Sequence, residues 1–456
     1  MAEDKLQAQK VAEQQATEEK VEKKQDVRIE DSIAALGGFS TIKSIIPDTE
    51  NLDVKNKAQR AIFLGEQRFD GKRKKLASDL KKWLELLKED KSSSVEYAEV
   101  CTQKEKKYKK LFSDNLQIAL DAIKKLETEY RTLDTFYKNS GSDKLTNLRI
   151  INVDKFELGD SNSEFIKEIR EILKDAYDRL SLKDSYSLMV MPGYIFEDTS
   201  IMRMWAQMAH DYKVMLVSDH ANESTYDDLI DNTEGYRDSD IALQNIILTA
   251  NWVLGRQAEQ IANEDEPLYI PPSGALAGMM YNETKNMAQG AAGKKHGTLG
   301  EVKGVRLDLL KTQIAALMDK QVIPMVFSEG RVMAFNDTTL FNGDNKAMQA
   351  YPIVRIFDWI KKVMMNFLND EALQNWDTYI SPEELRKKIQ GFLNMHKGYG
   401  KLFQDYKIGE PRQDPETKNI TVDMEITPYF AAKNFIVKLA ATKSKGSGFD
   451  KSCDVS

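Results

Sequence analysis

A chain of 456 residues, 41% of them hydrophobic, is long enough for two or three domains with genuine cores. A formal net charge of −7 argues against a general nucleic-acid binder, and two cysteines, Cys101 and Cys453, exclude both a disulfide framework and a thiolate zinc site. No run approaches the ~18 apolar residues of a membrane span, and the opening MAEDKLQAQK lacks the apolar core of a signal peptide, so the expectation is a soluble protein of a reducing cytoplasm.

Residues 1–26 mix Glu, Lys, Gln and Ala with few large apolar side chains, as in a solvated arm. VRIEDSIAALGGFSTIKSII (27–46) adds a short apolar patch, jointed at Gly37–Gly38 and stopped by Pro47. From 54 to 138 the spacing predicts helices: Trp83, Leu84, Leu86 and Leu87 fall in one, and Leu111, Leu116, Leu120, Ile123 and Leu126 in another. Each carries a narrow apolar stripe on a Lys/Glu-rich body and needs something to bury it against. After NSGSDK (139–144), LRIINV (148–153) and YSLMVM (186–191) read as strands buried on both faces. Ile201, Met204, Trp205 and Met208 mark a helix and KVMLVS (213–218) a further strand, which together predict a βαβ unit and a partly parallel sheet. A long helix is expected over 240–261, a loop-rich section to about 304, a helix around Leu309, Ile314 and Leu317, and a strand at VIPMVF (322–327).

The last third is the most strongly patterned. Ile353, Ile356, Phe357, Ile360, Val363, Met364, Phe367 and Leu368 line one broad helical face. SPEELRKKIQGFLNMHKG (381–398) opens with Ser381 as N-cap, Pro382 in the first turn and Glu384 closing a capping box, and Gly398 or Gly400 ends it. In NITVDMEITPYFAAKNFIVKLAAT (419–442), Ile420, Val422, Met424 and Ile426 alternate with polar residues, and Phe435, Val437 and Leu439 repeat the pattern. The fold class is thus α+β with an α/β section: a mixed sheet and a C-terminal α+β core behind a helical N-terminal region. The expected segments are an arm with a linker strand (1–46), a helical region (47–140), an α/β domain (141–350), a C-terminal core (351–441) and a tail (442–456).

Chemistry is sparse. GAAGKKHG (290–297) misses the P-loop spacing and is expected to form a mobile surface loop. His210 and His220, with Asp211 and Asp219 beside them, sit at opposite ends of the 213–218 strand and read as strand-end polar residues rather than metal ligands. DNTEGYRDSD (231–240) lacks the alternation of an EF-hand and is expected to start a solvated helix. No GxSxG, HExxH or CxxC occurs, and Cys101 lies in a Lys-rich helix without a neighbouring histidine. No catalytic residue, cofactor or metal is expected.

The remaining signatures are structural. YIPPSGALAGMMYNET (269–284) resembles the "PPSGAVAG" segment of contractile tail sheath proteins; Pro271 and Pro272 stop the chain, Ser273 caps, and Gly274, Ala275, Ala277 and Gly278 permit close backbone packing. VIPMVFSEGRVMAFNDTTL (322–340) is similar to the sheath segment "G-x-v-v-w-G-x-R-T-l" at Gly330, Val332, Phe335, Thr339 and Leu340, with Asn336 and Thr338 in place of Gly and Arg. LETEYRTLDTFYKNSGSDKLTNLRIINVDKFEL (126–158) resembles the large sheath subunit of type VI secretion systems (TssC/VipB-like) at Leu126, Glu127, Arg131, Leu133, Glu157 and Leu158. Tyr130 and Thr132 replace Trp and Gly, and the family's His-His-Pro-x-Phe segment is missing, which suggests a divergent, Bacteroidota-type branch.

The resemblance implies a structural subunit that polymerises with a small sheath subunit around an inner tube and contracts to propel it for effector delivery. Implied partners are the small subunit, further copies of this chain, an Hcp-like tube protein, a baseplate and a AAA+ recycling ATPase, without nucleic acid or membrane insertion, in a bacterial cytoplasm. On this reading Leu116, Leu120 and Ile123 dock the small subunit, and Lys387 and Lys388 face the tube. Ile420, Val422, Met424, Ile426, Phe435, Val437 and Leu439 join a sheet shared between subunits, with 27–46 as the neighbour's arm. The alternatives are a cytoplasmic scaffold in which 27–46 and 420–439 pair within one chain, and an α/β enzyme using the 213–220 strand end.

Overall fold

The computed structural model describes residues 31–432 apart from 32, 35–38, 53–54, 89–93, 142–144, 146, 180–181, 183–184, 195, 234, 261–263, 265, 283–286, 372–375 and 377–380, together with 438–439 and 453–454. The chain divides into two compact units, Met1–Ala119 and Leu120–Ser456. In the first, helices α1 (Phe39–Ile45), α2 (Lys57–Gly65) and α3 (Asp70–Leu87) enclose a small core of Ile46, Phe63, Leu76 and Leu87, with Trp83 packed against it. Asn56 caps α2 by accepting from the Gln59 N–H. The extended arm expected over 27–46 is helical across Phe39–Ile45. The 47-residue helix α4 (Ser94–Ser140) begins in this unit and ends in the second.

The second unit is built on a five-stranded sheet of order β1-β2-β3-β6-β7: β1 (Leu188–Met191), β2 (Met215–Asp219), β3 (Ile246–Ala250), β6 (Ile323–Ser328) and β7 (Arg331–Ala334). The first four run parallel and β7 returns antiparallel from β6. Side chains of the central strands divide strictly between two layers, as period-2 alternation requires. Leu216, Ile246, Leu248 and Ala250 enter a core with α5 (Glu164–Tyr177) and α6 (Thr199–Asp211), while Met215, Val217 and Ile247 enter one with α7 (Ser273–Tyr281). The predicted strands at 186–191, 213–218 and 322–327 and the helix between the first two are found in place. A separate antiparallel pair, β4 (Val253–Arg256) and β5 (Leu268–Ile270), leads into α7.

Three expectations fail here for identifiable reasons. Residues 240–261 are not one helix: a short 3-10 turn (Ile241–Asn245) precedes β3 and β4, and Asn251 between the strands sits at φ 68 with its amide bonded to Leu307 and Met325 carbonyls. A five-residue apolar run cannot be told from a helix segment by periodicity. Residues 148–153 form no strand, and Ile150 is 62% exposed, because no described strand pairs with them. The 290–297 stretch is built into the sheet margin: Gly293–His296 is a helical turn, Leu299 N–H donates to Val332 and Ala334 N–H to Gly297.

The C-terminal core joins α9 (Tyr351–Asp370) and α10 (Pro382–His396), α8 being Lys311–Asp319, to an antiparallel ribbon of β8 (Phe403–Ile408) and β11 (Met424–Pro428). Ile356, Ile360, Met364, Leu385, Ile389, Leu393 and Phe403 form its centre. Ser381 caps α10 by accepting from Glu384 N–H at 3.2 Å. A two-stranded ribbon is marginal by itself, so it is the helical layer beneath that holds this one.

Candidate assembly surfaces

The C-terminal part of α4 has two opposite faces. On one, Glu127 Oε1 accepts from Arg256 Nε and Arg131 Nε, each at 2.8 Å, and Arg131 donates to the Gly255 carbonyl at 3.0 Å. Arg256 is almost fully buried and also pairs with Glu264 at 2.6 Å, so these four side chains form a neutralising cluster rather than a binding site. Asn139 closes the contact by exchanging hydrogen bonds with Gly300. Against this face lies α7, where a Cβ on Gly274 would stand 2.6 Å from the Thr132 carbonyl oxygen and one on Gly278 2.3 Å from that of Phe136. Only glycine permits two helix backbones this close, which accounts for the small residues of the PPSGALAG stretch.

The other face of α4 is apolar and open. Ile123, Leu126, Tyr130, Leu133 and Tyr137 follow a 3,4 spacing, the seam of a helix that packs on another helix. Leu126 is 62% and Tyr130 70% exposed, and the remaining three are exposed as well. Leu116, earlier on the same spacing, is half-buried. Of the docking residues predicted from sequence, Ile123 belongs to this seam, Leu120 is only 6% exposed and does not, and Leu116 falls in the first unit. Tyr130, Leu133 and Tyr137 continue the seam beyond the residues expected from sequence to dock a partner.

The C-terminal ribbon corrects the expected strand partners. Residues 420–426 do not make one unbroken strand: β10 (Ile420–Thr421) pairs with β9 (Arg412–Gln413), Val422 is outside any strand, and β11 pairs with β8. Met424 and Ile426 face the core and Glu425 and Thr427 the solvent. Thus β11 is covered on one edge by its own chain, its outer edge has no strand partner among the described residues, and that of β8 is bridged at Phe403 to Lys397. Phe435 and Val437 lie outside the described residues; Leu439 is in β12 (Lys438–Leu439), which pairs with β13 (Cys453–Asp454) in the predicted tail. Lys387 and Lys388 both project from α10, but each is already paired, Lys387 with Glu383 at 2.9 Å and Lys388 with Glu371 at 2.7 Å.

The 213–220 strand end holds a buried polar knot. Asp219 is wholly buried; its Oδ1 accepts from Thr249 Oγ1 at 2.5 Å and Ser273 N at 2.8 Å, its Oδ2 from Ser273 Oγ at 2.6 Å and Gly193 N at 2.8 Å. Burial pushes its carboxyl up to about 6 against these four donors. The carboxylate therefore ties β1, β2, β3 and α7 at one point, and Ser273, expected as a cap, instead donates its hydroxyl hydrogen bond to Asp219. His220 is buried beside Tyr194 and Tyr236, and burial lowers its basicity. His210 bonds to Gln244 and Asn245 on the other side. Among the described residues no three His, Cys, Asp or Glu side chains converge as a metal site, and no helix is long and apolar enough to cross a membrane. Asn336, where the resemblance calls for Gly, is buried and donates to the Val322 carbonyl and Thr338 Oγ1, so the local turn is held by a side chain instead.

Comparison with known families matches three models along the chain: the TssC/VipB-like N-terminal region over 27–116, the type VI secretion system TssC/VipB central domain over 118–342, and the TssC/VipB-like C-terminal domain over 350–453. Comparison with the curated proteins returns no match. Among solved structures, a chain of the anti-feeding prophage (AFP) baseplate is 14% identical, with 68% of this chain and 80% of that chain covered and a TM-score of 0.46. A chain of an extracellular contractile injection system, the PVC sheath complex in contracted state, is 15% identical, with 57% and 71% covered and a TM-score of 0.44. The sheath tail protein DSY3957 of Desulfitobacterium hafniense is 12% identical, with 59% and 60% covered and a TM-score of 0.37.

Proposed function

The chain belongs to the TssC/VipB family of type VI secretion sheath proteins, and we propose that the open seam of α4 is where it takes up a small sheath subunit. It is a contractile sheath subunit, and its family is one of structural proteins that polymerise into a helical sheath. The observation that carries the docking assignment is the opposition of faces on α4. One side is fixed to the core through Glu127, Thr132 and Asn139, and the other presents Ile123, Leu126, Tyr130, Leu133 and Tyr137 to solvent. Exposed apolar residues on a helix already anchored from behind are a ready half of a helix-in-groove or helix-pair contact.

The sheet shared between subunits is assigned to the β8–β11 ribbon, whose open β11 edge accepts a further strand by main-chain hydrogen bonds. On the same reading the segment 27–46 supplies that strand in the neighbour. Lys387 and Lys388 are assigned to the tube-facing side as members of a charged network with Glu383 and Glu371. The same reading places the protein in the bacterial cytoplasm, without catalytic activity, around an Hcp-like tube on a baseplate, with a AAA+ ATPase recycling the spent polymer. Tyr130 and Thr132 support placing it in the divergent, Bacteroidota-type branch. The test of the docking assignment is co-purification of the chain with the small subunit from a joint expression. Seam variants that stay folded yet lose the partner support it, and variants that keep the partner overturn it.

A further inference from the structure

A cavity of about 170 Å³ opens where α9 meets the lead-in to β2, lined by Lys213, Arg355, Asp358, Trp359, Lys362 and Val363 among others. A single water needs only ~10–15 Å³, so the space suits a small molecule. Its charges do not balance. Lys213 and Lys362 each donate one N–H to a backbone carbonyl, of His210 and Tyr186, both at 2.6 Å, which leaves two donors on each ammonium. Asp358, the lining carboxylate, is hydrogen-bonded to Asn245 at 2.7 Å, and no ion pair joins it to the three cations among the described residues. Nor does Arg355 have a hydrogen-bond acceptor among them. Beyond the lining, Lys361 and Asp211 act on Lys213 with opposite signs.

Loss of water pushes the Arg355 guanidinium down to about 10 and, against the attraction of Asp358, the Lys362 ammonium down to about 8, so the one carboxylate does not offset the cost of burying these cations. Lys213 takes φ 54 because it closes α6 in a Schellman cap, with its N–H on the His210 carbonyl and the Val214 N–H on that of Ala209, and this cap fixes where its side chain leaves the chain. Beside Arg355 and Lys362, on the same face of α9, stand Trp359 and Val363, one helical turn apart, with the indole braced by Phe392 and His396. A planar guanidinium without a carboxylate is shaped for two parallel hydrogen bonds to an oxyanion.

We propose that this cavity binds a small organic oxyanion, a carboxylate or phosphate ester whose charged group meets Arg355, Lys362 and Lys213 and whose apolar part lies on Trp359 and Val363. The ligand would fasten α9, the first helix of the C-terminal core, to the central sheet.

The test is calorimetric titration of the full-length chain with benzoate, phenyl phosphate, inorganic phosphate and phenol, with tryptophan fluorescence in parallel. Expected are saturable binding of benzoate or phenyl phosphate, tighter than inorganic phosphate, and none of phenol. The preferred probe assigns the headgroup. Arg355→Gln and Lys362→Met should each weaken binding about tenfold or more, and Trp359→Phe should remove the fluorescence change. Should Arg355→Gln not fold, Lys362→Met and Lys213→Met carry the comparison. Absence of saturable binding at millimolar probe, equal binding by phenol, or unchanged affinity in folded cation variants would overturn the proposal.

Discussion

Replacing Leu126 and Tyr130 together by Asp separates assembly from folding. Both side chains stand mainly in solvent, 62% and 70% exposed, so the isolated chain should lose little: about 0.5 kcal/mol or less per exposed site. When a partner covers them the loss is larger. Fully burying a Leu-sized side chain contributes about 1.5–3 kcal/mol, and two thirds of that is still available here, so the pair accounts for about 2–4 kcal/mol of docking. That corresponds to a dissociation constant raised about 30- to 1,000-fold, and more once two carboxylates must be desolvated. The assay is titration of the purified chain with the small subunit, alongside thermal unfolding of the chain by itself. Leu120→Glu is the informative contrast. Leu120 is 6% exposed, so a charge there should destabilise the chain itself by about 3 kcal/mol or more. If the Asp pair binds the partner as tightly as wild type, the seam is an ordinary solvated face and the docking surface lies elsewhere. If the Asp pair unfolds the chain, the seam is part of the fold.

Asp219→Asn places an amide donor against at least one of four donors and should cost about 1–3 kcal/mol, read by chemical denaturation. The folded carboxyl titrates at about 6, above its ordinary value, so its ionisation opposes folding; the stability gap between wild type and variant should narrow as pH rises from about 4 to 6 and be flat above. Gly278→Ala forces a Cβ onto the Phe136 carbonyl and should destabilise by about 1–3 kcal/mol, whereas Gly391→Ala, in open space on α10, should be neutral or stabilising in the same assay. Met424→Pro removes an N–H that points away from β8, since Gly409 N–H already bonds to the Asp423 carbonyl one residue earlier; heterodimer yield should survive better than sheath length by microscopy, and normal sheaths would refute the shared-sheet reading. Reversing Lys387 and Lys388 to Glu should lower the frequency of sheaths that enclose tube, and normal frequency would remove these residues from the tube surface.

What was legible in the sequence follows from range. The helices α9 and α10 show in their own spacing and caps, because Ile353 to Met364 and Ser381 to Glu384 are local signals. Strands β1, β2 and β6 show as short apolar runs because both of their faces are buried. Residues 246–250 carry the same signal but adjoin Trp252 and Val253, and the left-handed Asn251 that breaks the run is invisible without its acceptors, Leu307 and Met325. LRIINV has strand composition with no described strand beside it. The alternation at 420–426 is real, yet the partner is β8, set by a hairpin through Asp414 and Asn419 rather than by the next apolar run. On α4 the apolar residues were visible and the grip behind them was not, since it depends on Gly274, Gly278 and Gly300 far along the chain. The charged lining of the α9 cavity was hidden for a related reason: Arg355, Asp358 and Lys362 look like a solvated face until the fold brings Lys213 to the same cavity.

The central claim is that this chain builds a sheath by docking a small subunit on α4. It is tested most directly by electron microscopy of the chain co-expressed with that subunit, wild type beside the Leu126→Asp, Tyr130→Asp pair. The account predicts long hollow helical polymers for wild type and a folded, unpolymerised chain for the variant. Polymers of normal length from the variant would contradict it, as would a wild-type complex that never polymerises.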